Sequence, residues 1–469
     1  MKYSLSFFAL AALGSAQQFV LYSKGEDCDV VERSDPIVSP GSVSAHVHHF
    51  LGANTFDTQL SYEALQNADC TTVGAADGSG NAADKSVYWH PALYVEKKDG
   101  SGLMKIPVAG HKMYYRKAGD AGDDAREPFE FPNNFRMVAA DPYLRGPATA
   151  GTTNIVEWKC FSANGVFADD EQFQNGGFPS GFADGSITDC ANYPGLSGNV
   201  HFPHCWDGQP VNDDDPASHM TYPLGHAEYG KCPPSHPTRL PHIFMENLFD
   251  VHSVADKIDM TTLRLSNGDP TGFSYHADFF NGWDQGALPQ LYATCPQGTY
   301  GNHDVGTCPS YKKQSKPRDD CKLPSYHHES VHEPGTCLPG CNPVTRTNPA
   351  PKRKAAALGV STDSCDALAI AAAEPAQSQS KSKTQSKPKT YSMTQAQRVA
   401  PAAVVSSAAA DNVDPVDPAS TDNVVIVQDI TYETKIVTVT SRASPSPAPG
   451  PHKRHLHQHQ HMGSHRRAA

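Results

Sequence analysis

Long apolar runs and helical patterns are both scarce in this sequence of 469 residues. Beyond the N-terminus, no stretch reaches the ~18 apolar residues that a membrane-spanning helix requires, so we expect no such helix. The sequence also has no Asn-x-Ser/Thr acceptor, which excludes N-linked glycans. Only the segment 60–68, LSYEALQNA, has a helical pattern, and it is short.

Basic residues are outnumbered over most of the chain. The formal net charge is −12, yet the residues from Arg346 onward carry 15 Lys and Arg against 9 Asp and Glu, which leaves −18 on the rest. This acidic balance argues against general affinity for nucleic acids, anionic membranes or polyuronates. We therefore expect no nucleic-acid partner, and the charge also suits simple solubility.

The N-terminus has the layout of a cleavable secretory signal. Residues 1–16 combine a lysine, a short apolar run and small residues before an expected cut after Ala16. The sequence closes without an apolar tail, so we expect no membrane anchor. All 12 cysteines follow this segment, and in an oxidising compartment they are predicted to form disulfides, with the pairing left open. These features predict a secreted, extracellular protein.

Short β-like runs bounded by Gly, Pro, Asn and Asp predict an all-β body. Examples are 86–96, 103–117, 135–140, 153–161, 198–206 and 261–266. Many short strands with long loops favour a β-sandwich or jelly-roll-like fold held by disulfides. We divide the chain into a signal peptide (1–16), a β-rich domain (17–294), a cysteine-dense extension of that domain (295–345) and a tail (346–469).

The tail is of low complexity. Segments 376–390 and 441–451 are rich in Ser, Gln, Lys and Pro, so they are predicted to be disordered. The C-terminal segment 452–469 holds six histidines. Such a tract either binds transition metals loosely or is simply solvated.

Three histidines stand within four positions in SAHVHHFLG, residues 44–52. In a strand, His46 and His48 point to one face and His49 to the other. Two imidazoles at this spacing can bind one metal ion if a third ligand comes from elsewhere, and either can also serve as a general base. The alternative is a pair of histidines hydrogen-bonded to backbone.

A second cluster offers the missing ligand. His276 and Asp278 follow a Gly/Pro turn at strand spacing, so the carboxylate can accompany the imidazole as a ligand or orient it. We take His46, His48, His276 and Asp278 as the candidate catalytic residues. The same four residues and His219 are the candidate ligands of a transition metal, copper or zinc. A turn-capping Asp and a satisfied core histidine are the structural alternative.

Two tryptophans are each followed by an aspartate, in CWDG and GWDQ. An aromatic ring beside a carboxylate suits a sugar, because the ring covers the apolar face and the acid binds hydroxyls. Trp206, Asp207, Trp283 and Asp284 are therefore candidate substrate-binding residues, although tryptophan is as often found in a core.

These stretches together resemble a family of secreted, mainly fungal proteins that share the domain of unknown function nineteen ninety-six. The resemblance rests on DPIVSPGSVSAHVHHFLG (35–52), KSVYWHPALY (85–94), HFPHCWDG (201–208) and NGDPTGFSYHADFFNGWD (267–284), and it extends over about residues 28–344. A serine usually stands in the family where His204 stands here, which counts against His204 as a ligand. The resemblance implies secretion and domain boundaries, but no reaction.

Three functions remain open from the sequence. The first is an extracellular enzyme that acts on cell-wall or plant polysaccharide through the His/Asp site, by oxidative, hydrolytic or lyase chemistry. A non-catalytic carbohydrate- or wall-binding protein is the second, and an extracellular metal-binding protein is the third. The first is favoured because His276 and Asp278 add a second cluster to the histidines of residues 46–49, and a mixed site of the two would be competent to bind a metal.

Overall fold

The computed structural model describes residues 18–26, 28–117, 124–147, 154–160, 195–296, 303–358 and 365. All of them belong to the first of two units into which the chain divides, residues 1–380 and 381–469. The predicted signal peptide and most of the predicted tail, including its histidine-rich end, lie outside the described residues.

Two antiparallel sheets form the body. Sheet A has six strands, in the spatial order β11 (Val156–Cys160), β12 (Gly195–His201), β16 (His242–Asp250), β8 (Val108–Arg116), β1 (Gln18–Ser23) and β19 (His303–Asp304). Only the pairing of β19 with β1 is parallel in this sheet. Sheet B has five strands, in the order β10 (Arg136–Ala139), β18 (Ala277–Phe280), β5 (Val87–Pro91), β3 (Val43–Gly52) and β2 (Val30–Ser34).

Smaller sheets and two helices complete the described part of the chain. A four-stranded sheet contains, in spatial order, β14 (Met220–Thr221), β13 (Cys205–Trp206), β15 (Thr238–Arg239) and β9 (Asp124–Ala125). A three-stranded sheet contains β17 (Ile258–Leu265), β6 (Leu93–Lys97) and β7 (Leu103–Lys105). A two-stranded sheet pairs β20 (Lys313–Pro317) with β4 (Ser79–Asn81). The predicted helix is confirmed as α1 (Tyr62–Gln66), which Ser61 caps. A second helix, α2 (Ala287–Thr294), was not predicted; its buried Leu288, Leu291 and Tyr292 recur at helical spacing.

The core lies between sheets A and B, which confirms the predicted all-β sandwich. Phe19 and Tyr115 of sheet A stack with ring centroids 5.3 Å apart, and they share one apolar cluster with Leu51, Tyr88 and Phe279 of sheet B. A second cluster covers the opposite face of sheet B. Sheet B is therefore buried on both faces, and each face carries a different set of side chains.

A series of hydrogen-bonded polar side chains crosses the core. The hydroxyl of Tyr88 donates to Asp84 Oδ2 at 2.8 Å and lies 2.5 Å from that of Tyr115, which accepts from Trp283 Nε1 at 2.9 Å. Asp84 Oδ1 also accepts from the backbone of Ser86. Burial raises the pKa of Asp84 to about 6, although its hydrogen bonds oppose the rise.

This aspartate predicts a pH-dependent stability. The folded state holds the Asp84 proton more tightly than the unfolded chain, so its contribution is complete below pH ~4 and is lost as the pH rises through about 6. Asp84→Asn keeps the acceptor for Ser86 and should remove this pH dependence, whose total size between pH 4 and 7 is on the order of 2–3 kcal/mol. Guanidinium unfolding of both proteins from pH 4 to 7, with disulfides intact, measures the difference. Parallel stability curves would contradict the assignment.

Four disulfides occur among the described cysteines. They join Cys70 to Cys321, Cys205 to Cys232, Cys295 to Cys308 and Cys341 to Cys365. Cys341 is therefore bridged to a residue of the predicted tail.

The folded body extends past residue 345, where we placed the start of the tail. Arg33, on β2, donates to the backbone carbonyls of Ala356 and Ala357, and Asn348 accepts from the backbone of Arg145 at 2.9 Å. Residues 346–358 contain few large apolar side chains, so these polar contacts hold a segment whose composition alone predicts disorder.

Candidate metal centre

Strand β3 places its three histidines as the alternation rule predicts. His46 and His48 point to the outer face of sheet B, and His49 points toward sheet A. His276 immediately precedes β18, which pairs with β5, and β5 pairs with β3. The sheet therefore brings together imidazoles that are 228 and 230 residues apart in the chain.

The three outer histidines direct one nitrogen each to a common point. Nε2 of His276 lies 3.1 Å from Nε2 of His46 and 3.4 Å from Nε2 of His48. Imidazole nitrogens bound to one tetrahedral ion at ~2.05 Å lie about 3.4 Å apart. The observed separations match the spacing that a single metal ion requires, with a coordination position left over.

Backbone hydrogen bonds fix the tautomers of two of these rings. Nδ1 of His48 donates to the carbonyl of Ser34 at 2.7 Å, and Nδ1 of His276 donates to that of Ser274 at 2.8 Å. The Nε2 atoms of both rings consequently carry lone pairs, and they face each other at 3.4 Å. Two acceptors at this distance repel unless a cation lies between them, and a carbonyl partner on the distal nitrogen is the usual support of a metal-binding histidine.

The surroundings keep these imidazoles neutral. Burial lowers the pKa of His48 to about 4 and that of His276 to about 3. Burial, assisted by the neighbouring His48 and His276, also lowers the pKa of His46 well below its ordinary value. Neutral imidazole is the form that binds a metal ion.

An open pocket of about 470 Å³ leads to this centre. His46 and His276 line it, whereas His48 is fully buried behind them. The pocket also contains the ring of Tyr143 and charged groups of both signs, among them Asp35, Asp141, Asp278, Arg145 and Lys352. A ligand of moderate size and mixed polarity fits such a lining.

Two buried carboxyl groups, Asp35 and Asp278, lie beside the histidines in this pocket. Burial raises the pKa of Asp35 to about 6 against two backbone hydrogen bonds from Ile37 and Val38. Burial and the negative charge of Asp35 raise the pKa of Asp278 well above its ordinary value. Asp278 is outside the set of converging nitrogens, so the structure places it as a neighbour of the centre rather than in it.

Sequence reasoning missed Asp35, Tyr143 and Arg145. Arg145 donates to the backbone carbonyls of Thr345, Leu144 and Asn267, which fixes one wall of the pocket. Asp35 begins the quoted stretch 35–52, but neither its spacing nor that of Tyr143 and Arg145 indicates a site, so only the folded arrangement identifies them.

The structure separates His219 from the centre. Its Nε2 donates to the carbonyl of Arg136 at 2.9 Å, and its ring packs edge-on against Phe135. His219 therefore has the environment of a satisfied structural histidine, and the converging nitrogens belong to other residues.

The two Trp-Asp pairs occupy different environments. Trp206 is half-buried, and Asp207 accepts from the backbone of Gln209 at 2.8 Å. Trp283 is 2% exposed and donates to Tyr115 in the core, while Asp284 pairs with Lys85 at 2.6 Å. The burial of Trp283 contradicts the prediction that its ring binds a substrate, because a buried indole cannot stack on a sugar.

One protein family has a sequence pattern that matches residues 35–283, under the description Domain of unknown function (DUF1996). The chain belongs to this family. The DUF1996 match covers His46, His48, His276 and Asp278, so the centre lies entirely inside the DUF1996 domain. A search of curated proteins and of solved structures finds no match to the chain.

Two further findings concern where this DUF1996 protein resides. Among the described residues, no helix is both long and apolar enough to cross a bilayer. The four disulfides indicate an oxidising compartment, which is typical of extracellular proteins.

Proposed function

We propose that this protein is an extracellular metalloenzyme in which His46, His48 and His276 hold a zinc ion for hydrolysis of a polysaccharide. The observation that carries the proposal is the pair of Nε2 lone pairs that face each other at 3.4 Å, each fixed by a backbone carbonyl at the opposite nitrogen. Three protein ligands with an open fourth position are typical of catalytic zinc sites.

The pocket supports hydrolysis in preference to redox chemistry because it supplies a group for proton transfer. Asp278 Oδ2 is buried and has no hydrogen-bond partner among the described residues. An ion held by His46, His48 and His276 would supply Lewis-acid activation of a water for attack on the substrate carbon, with cleavage of the bond to the leaving oxygen. Asp278, whose raised pKa favours the protonated acid, would donate its proton to the leaving oxygen and regain one from the attacking water.

A saccharide substrate is supported by Tyr143 and its neighbours. The aromatic ring borders the same pocket as Asp141 and the acidic residues 213–215. A ring face beside hydrogen-bond acceptors is the combination that recognises sugars. We therefore assign sugar binding to this pocket rather than to the Trp-Asp pairs.

Metal content tests the centre directly. The full chain is prepared with the six histidines of 452–469 replaced by serine, then loaded with zinc and analysed by mass spectrometry. His276→Asn should remove the exchangeable ion, from about one equivalent to near zero, because asparagine retains only the donor to Ser274. His328→Asn, at an exposed site, is the matched control and should bind zinc as the parent does. A folded parent that binds no exchangeable zinc or copper would refute the metal centre.

Product analysis then tests the reaction. Zinc-loaded and metal-free proteins are incubated with a panel of cell-wall polysaccharides, and the products are identified by mass spectrometry. Hydrolysed products that require zinc, and that Asp278→Asn abolishes without loss of zinc, would support the proposal. Oxidised products formed only with copper would replace hydrolysis by redox cleavage, and metal binding without any product would favour metal capture.

A further inference from the structure

A second cluster of three histidines lies between the two sheets, on the opposite face of sheet B from the centre described above. His49 and His90 are directly paired across β3 and β5, and His111 reaches them from β8 of sheet A. One nitrogen from each ring falls within 4.8 Å of the others. All three residues are at most 1% exposed.

A carboxylate lies beside two of the three histidines. Oδ2 of Asp29 lies 2.9 Å from Nε2 of His49 and 3.3 Å from Nε2 of His111, and the Asp29 side chain is fully buried. The cluster therefore offers three imidazoles, with the Asp29 carboxylate beside two of them, all removed from solvent.

The Nδ1 atoms of two of these rings already have hydrogen-bond partners. Nδ1 of His111 donates to Asn247 Oδ1 at 2.8 Å, and Nδ1 of His90 donates to the carbonyl of Pro91 at 3.1 Å. Their Nε2 atoms are consequently acceptors. His111 Nε2 faces the Asp29 carboxylate without the alignment of a hydrogen bond, and His90 Nε2 has no partner among the described residues.

Hydrogen bonds among the described residues cannot satisfy all the buried polar atoms of this cluster. A proton on His111 would pair that ring with Asp29, yet His90 Nε2, His49 Nδ1 and Asp29 Oδ1 would remain buried without a described partner. A buried polar atom left without a partner destabilises the fold. A metal ion satisfies several acceptors at once, and the second shell formed by Asn247 and Pro91 is what metal-binding histidines require.

We propose that His49, His90 and His111 hold a structural zinc ion that joins sheet A to sheet B, and that Asp29 turns in from its contacts with His49 and His111 as the fourth ligand. Four nitrogen and oxygen ligands suit tetrahedral zinc. Their burial leaves no position for a substrate, which distinguishes this site from the open centre on the other face. The ligands would move inward slightly on binding, since nitrogens bound to one zinc ion lie about 3.4 Å apart.

Resistance to chelation tests the site. The full chain carries serine in place of the six tail histidines together with His276→Asn, so that the open centre is already removed. After dialysis of the folded protein against a chelator, about one zinc equivalent per chain should remain, and guanidinium should release it. Because the open centre is absent from every sample, this result does not depend on the proposed enzymatic function.

Adding His111→Asn should reduce the resistant zinc to near zero and lower the thermal midpoint, while the donor to Asn247 is kept. Adding His328→Asn should change neither quantity. If His111→Asn does not fold, X-ray absorption at the zinc edge of the His276→Asn protein decides the question. A shell of nitrogen and oxygen with imidazole scattering supports the site, whereas a sulfur ligand refutes it. A folded protein without resistant zinc, or resistant zinc that persists in folded His111→Asn, also refutes it.

Discussion

His48→Asn should weaken metal binding and His49→Asn should destabilise the fold, although the two residues are adjacent. His48→Asn keeps a donor for the carbonyl of Ser34 and loses only the Nε2 ligand. Its affinity for the exchangeable metal should fall by on the order of 10²-fold or more, with little change in stability. His49→Asn should retain the exchangeable metal but destabilise the fold by roughly 3–5 kcal/mol, because it leaves Asp29 buried beside an incomplete site.

Isothermal titration with zinc and guanidinium unfolding measure the two effects on the same preparations, with the tail histidines replaced in all of them. The contrast depends only on the alternation of side chains along β3, since the substitutions are chemically identical. Equal losses of affinity and of stability in both variants would show that the two clusters are not separate sites.

Arg33→Met should destabilise the protein by about 3–5 kcal/mol. The Arg33 guanidinium is fully buried and donates to both carboxylate oxygens of Glu329, at 2.6 and 2.7 Å. It also donates to the carbonyls of Ser44, Ala356 and Ala357. Removing the cation leaves Glu329 poorly compensated and frees three carbonyl groups, which is why the cost exceeds that of an ordinary surface ion pair.

Guanidinium unfolding of Arg33→Met gives the size of this effect, and limited proteolysis at residues 346–358 reports release of the attached segment. The double variant Arg33→Met/Glu329→Gln should recover part of the loss, because it removes the uncompensated charge. A change below about 1 kcal/mol in Arg33→Met would mean that the pair contributes no more than a surface salt bridge.

Alternation along β3 could be predicted from the sequence, but the partners of each face could not. The SAHVHHFLG segment itself indicates that His46 and His48 share a face. Their convergence with His276 depends on the order β18-β5-β3 in sheet B, which no local pattern encodes. The pairing of His49 with His90 depends on register, and a shift by one residue would send the two rings to opposite faces.

Burial distinguishes the environments of two tryptophans that the sequence treated alike. GWDQ and CWDG look equivalent as sequence, yet the indole of Trp283 packs against Phe19 and Tyr115 between the sheets, while that of Trp206 is half-buried. The end of the body was also misjudged, because composition measures apolar content and cannot register backbone hydrogen bonds to a buried arginine.

The bridge between Cys70 and Cys321 has a topological consequence for resistance to proteases. These residues are 251 positions apart, so the bond closes most of the DUF1996 domain into a covalent ring. A protease that cuts the backbone once anywhere inside this ring produces a nicked molecule rather than two fragments. Both pieces stay within reach of each other, the chain can refold around the cut, and His48 and His276 remain parts of one molecule.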